Sequence, residues 1–84
     1  MEHIEDTIES NLEVEHIRLD SQYQKGKRYI VTFFFRQALY FLHMDLPNAP
    51  QWLTILHKSL ETKKPVNVHF NLVGQKITHV EWAK

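Results

Sequence analysis

The chain has 84 residues, no cysteine, two glycines and three prolines, and its ten basic and ten acidic side chains cancel. That length leaves room for one domain whose core draws on most of the chain, since so small a domain buries only about two thirds of the surface its unfolded form exposes. Without cysteine there is no disulfide framework, no thiolate nucleophile and no cysteine-based zinc site. The strongest apolar run, residues 29–35, is too short to span a bilayer. The start, Met1-Glu2-His3-Ile4-Glu5-Asp6, is acidic where a secretory leader is basic. The expectation is one cytoplasmic domain without a membrane segment.

In chain order, residues 1–11 form an acidic amino-terminal arm or a short helix, because Ile4, Ile8 and Leu12 recur at helical spacing. Residues 12–20 read as a strand whose alternation breaks: Leu12 and Val14 share one parity, Ile17 and Leu19 the other. A bulge near Glu15-His16 resets the phase, or the strand bends and serves two sheets in turn. Residues 21–27, polar and holding Gly26, form a turn. Residues 28–36 are β-branched and aromatic on both faces, the mark of a central strand. Residues 38–46 follow as a third strand, and aromatic content argues against a helix there. Asn48 with Gln51 has capping-box spacing, and Pro50 fits the first helical turn. Trp52, Leu53, Ile55, Leu56 and Leu60 then make one apolar helix stripe that ends at Pro65. Val66, Val68, Phe70 and Leu72 alternate inward, Gly74 marks a turn, and residues 77–82 complete a hairpin.

The order is therefore β-β-β-α-β-β, a mostly β (α+β) domain over residues 12–84. A bent first strand and a lone helix between strands three and four resemble the OB-fold, a five-stranded barrel. The alternative is an open antiparallel sheet with one helix packed on one face.

The chemistry-bearing residues are sparse. Six histidines (His3, His16, His43, His57, His69 and His79) include no His-x-His pair and no pair one helical turn apart, so no metal site and no cofactor is expected. His69 and His79 do fall within reach of each other across the hairpin. No serine sits in a nucleophile-elbow pattern, no acid, base and nucleophile converge, and no glycine-rich loop cradles a phosphate, which argues against an enzyme.

Two features point to a binding module. Charge is segregated: residues 1–20 carry seven acids and one base, residues 21–84 three acids and nine bases. Within the basic part, Lys25, Lys27 and Arg28 lie between Tyr23 and Tyr29, and cations beside aromatic platforms suit single-stranded nucleic acid. A neutral total and an acidic first segment weigh against that ligand. The second feature is an aromatic surplus beyond what a small core holds, with Phe33, Phe35 and Trp82 as candidates for a protein interface or a homodimer. The sequence thus leaves two partners in play, a single-stranded oligonucleotide and a protein.

Overall fold

The computed structural model describes residues 6–84. Its elements are β1 (Thr7–Leu12), β2 (Val14–Leu19), β3 (Arg28–Phe33), β4 (Tyr40–His43), α1 (Ala49–Thr62), β5 (Val66–Asn71) and β6 (Lys76–Trp82). They form one sheet in the order β1-β5-β6-β4-β3-β2. Four neighbouring pairs are antiparallel, while β4 and β6 run parallel and meet at a single bridge, Phe41 to Lys76. The phenylalanine N–H also donates to the Gln75 carbonyl at 3.0 Å.

Two expectations are corrected. The sheet is mixed, six-stranded, open and curled into a half-barrel, so neither a closed five-stranded barrel nor a purely antiparallel sheet describes it. The reason lies in its ends. β1 and β2 occupy opposite edges of the ladder, joined through Glu13 rather than paired with each other. The second correction is the extra strand. Residues 7–12 lie along β5, with Thr7 opposite Phe70 and Glu9 opposite Val68, instead of forming an arm or a helical turn. β-branched Thr7 and Ile8 suit a strand. Ile8 then points outward, which the helical spacing had placed inward. Ile4, part of that spacing, lies outside the described residues.

The phase break has the form the alternation implies. Register shifts between Val14 and His16 when β2 meets β3, leaving Glu15 as the extra residue of a bulge. A second shift falls between Glu9 and Leu12, where Asn11 has a left-handed φ of 57°. Together they bend residues 7–19 so that the first half pairs with β5 and the second with β3. Leu12 and Val14, either side of the join, both enter the core.

The core is filled by Val31 and Phe33 of β3, Tyr40 and Leu42 of β4, and the inward residues of β5 and β6. Aromatic edges meet faces there: Phe33 and Tyr40 centroids are 5.2 Å apart, Tyr40 and Phe70 4.9 Å. α1 covers the open side with Ala49, Trp52, Leu56 and Ser59, spaced at three and four residues. Leu60, expected on that stripe, is exposed, and Leu72 lies outside β5 in the turn. Asn48 stands at the helix start but donates and accepts no side-chain capping bond. Lys63 closes the other end in a left-handed conformation, its N–H donating to the Ser59 carbonyl at 2.7 Å.

Candidate functional site

The basic turn between β2 and β3 is tied to itself. Asp20 accepts from the Gln22 N–H at 3.2 Å and from the Arg28 Nε at 2.8 Å. The Arg28 guanidinium lies between two rings, 4.3 Å from Tyr23 and 4.2 Å from Phe41. Its hydrogen bond holds the Asp20 carboxyl below the usual carboxylate range. Arg28 is thus a clasp within the fold. Tyr29 is half-buried and packs against the core, with the Lys27 ammonium 5.8 Å from its ring. Lys25 and Lys27 are exposed, and among the described residues neither has a carboxylate partner. Tyr23 also sets its ring edge-on to His43 at 5.3 Å. Burial, then Lys76 and Arg28, push the His43 pKa down.

The aromatic surplus resolves into core and surface. Phe33, expected at an interface, is 0% exposed and belongs to the core, because β3 turns that face inward. Trp82 is 38% exposed at the end of β6. Phe35 is 92% exposed, and its backbone is left-handed with φ 65°. It sits in the β3–β4 turn beside Phe34, the ring centroids 6.5 Å apart. These two rings, Val14 and Leu60 line an open groove of about 380 Å³. Glu13 and Glu15 stand on one wall and Lys63, at the end of α1, on another. The turn is held from below: the Phe34 N–H donates to the Glu13 carbonyl at 3.0 Å, Arg36 pairs with Glu9, and the Tyr40 hydroxyl donates to Glu9 at 3.3 Å. Burial, and then Glu9, push the Tyr40 hydroxyl pKa up.

A third cluster lies on the outer face of the β5–β6 hairpin. His69 opposes His79 in the ladder and Asn67 opposes Glu81. The two imidazoles meet edge to face at 4.9 Å, and His79 Nε2 is 3.2 Å from Glu81 Oε1. The hydrogen bond from Asn67, and then that from His79, hold the Glu81 carboxyl below its usual range. Pattern reading had found the two histidines across the hairpin but missed Glu81. Its signal was there: His79-x-Glu81 puts both side chains on one face of a strand. Leu60 was missed as a surface residue because only the fold decides which helix residues are covered, and Phe34 and Glu13 because they lie in the turn and the join beside strands rather than in them. Among the described residues no helix is long and apolar enough to cross a membrane. Comparison with protein-family models, with curated proteins and with solved structures gives no match to this chain.

Proposed function

We infer that the chain is a noncatalytic interaction module that pairs with a second copy of itself through the Phe34–Phe35 groove. The observation that carries this is Phe35. An aromatic residue held at positive φ is strained, and one almost wholly in water gains nothing by burial to offset the strain. Both costs are repaid if the ring enters an apolar groove on another molecule. The groove suits a second copy because its rim carries both signs, Glu13 and Glu15 against Lys63. A two-fold arrangement brings each lysine to the other copy's carboxylates. A net charge of zero places no long-range repulsion between copies. The single-strand reading has less support, since Arg28 is engaged by Asp20 and two rings, which leaves Lys25 and Lys27.

Sedimentation equilibrium of the full chain tests the reading. A concentration-dependent dimer is expected, changing little with salt because its centre is apolar. Phe35→Asn should shift it to monomer while leaving the melting temperature of the dilute, monomeric chain level or higher, since asparagine tolerates the left-handed region. A monomer throughout, combined with salt-sensitive binding of a labelled oligonucleotide, would sink this reading and favour nucleic acid.

A further inference from the structure

The outer face of the β5–β6 hairpin carries a different chemistry from the groove. Opposed residues of an antiparallel ladder project to the same face with Cβ atoms about 4.5–5.5 Å apart. Residues two apart on a strand also share a face. His69, His79 and Glu81 satisfy both relations, and one ligand atom from each lies within 4.8 Å of the others. Zinc bound at about 2.0–2.2 Å by nitrogen and oxygen donors holds them roughly 3.3–3.5 Å from one another in tetrahedral geometry. Closing that gap needs only a small movement of exposed side chains.

We propose that His69, His79 and Glu81 form a binding site for a zinc-type divalent cation, with water completing the coordination. Two imidazoles and one carboxylate are a borderline donor set that suits zinc and its transition-metal neighbours, whereas magnesium and calcium take oxygen ligands. The surroundings orient the ligands. Asn67 Nδ2 donates to Glu81 Oε2 at 3.5 Å, which leaves Oε1 on the side of His79. Asn67 is itself fixed, its Oδ1 accepting the Asn11 N–H at 3.0 Å. Trp52 lays its ring against His79 at 5.9 Å and 82°. Such outer contacts set ligand direction and carry a share of metal affinity. The His79–Glu81 hydrogen bond is the contact an ion replaces, and the neutral imidazole then carries its single proton on the nitrogen that does not bind the ion. His79 and Glu81 are about half exposed, so the ion has a path in.

Calorimetric titration of the full chain with zinc chloride tests this, with cobalt(II) absorption reporting coordination geometry. One equivalent per chain is expected, with a tetrahedral cobalt spectrum and a higher melting temperature in zinc. His69→Gln, His79→Gln and Glu81→Gln should each weaken binding by more than about tenfold, and Asn67→Ala by about tenfold. His16→Gln and His57→Gln should bind as the parent does. Circular dichroism identifies any variant that fails to fold, and Glu81→Gln, at an exposed position, keeps the test decisive if a histidine variant does. No saturable uptake by the parent chain, or unchanged uptake by folded His69→Gln and Glu81→Gln, overturns the proposal.

Discussion

His43 shows how one side chain couples the fold to pH. It faces Tyr23, Arg28, Lys76 and Asp45, and its pKa is depressed by burial first and by Lys76 and Arg28 next, against a smaller opposite pull from Asp45. Above its ordinary value of 6.5 the ring is neutral in folded and unfolded chains alike, so the group has no effect there. As pH falls below that value the unfolded chain takes up a proton that the folded chain resists. Stability is therefore lost from about pH 6.5 downward until the folded pKa is passed. His43→Gln should lose less stability than the parent between neutral pH and pH 5, measured as the shift in urea midpoint. A pair of identical pH profiles would show that His43 titrates as it does in the unfolded chain. Asp20 works in the opposite range. Its depressed pKa stabilises the fold above the usual carboxylate value, and that contribution disappears as pH falls through the folded pKa.

At the scale of elements, α1 illustrates the difference between an apolar residue and a buried one. Leu56 is fully buried, Leu53 is half-buried and Leu60 is at the groove. Leu56→Ala should cost about 2–5 kcal/mol, Leu53→Ala distinctly less, and Leu60→Ala almost nothing in the monomer, by chemical denaturation. A loss at Leu60 equal to that at Leu56 would mean the helix is rotated from its observed face. This ranking was only partly legible in the sequence. The apolar stripe marks a helix and its extent, but five apolar residues spread over more arc than one helix face can bury, and only the neighbouring strands decide which are covered. Strands fared likewise. β5 was clear because its alternation is unbroken, and β6 because a local turn joins it to β5, although a register shift between His69 and Phe70 leaves Ile77 and Val80 buried three residues apart. β1 was missed because its partner is β5, nearly the whole chain away, and no local pattern encodes that pairing.

At the scale of the molecule, the segregated charge has an internal use that no composition count reveals. Glu9 reaches Arg36 and Asp20 reaches Arg28, so acids of the first twenty residues neutralise bases of the remainder. That is why the basic turn offers less to an outside anion than its residues imply. Water near the surface screens such pairs, so they set direction more than stability. Residues 7–12 contribute more as β1, which covers the edge of β5 and inserts Leu12 into the core. Deleting them should lower the melting temperature sharply and promote aggregation, because β5 then becomes an open edge. Light scattering during a thermal ramp reads both effects, and a truncated chain that melts like the parent would show β1 to be dispensable.

Because Glu13 alone separates the two edge strands, synthesis and folding run in different orders. β1 is made before the other strands of this sheet, yet Thr7 finds its neighbour only when Phe70 exists, whereas β2 can join β3 as soon as residues 28–33 appear. The first strand of this sheet to be made thus waits for β5, and only β6 is made after that partner. Contacts of such long sequence separation slow folding, since the chain must close a large loop before the contact repays it. Glu9 puts a charge within that waiting strand, and a charge beside a strand disfavours its pairing with other chains before the native partner exists.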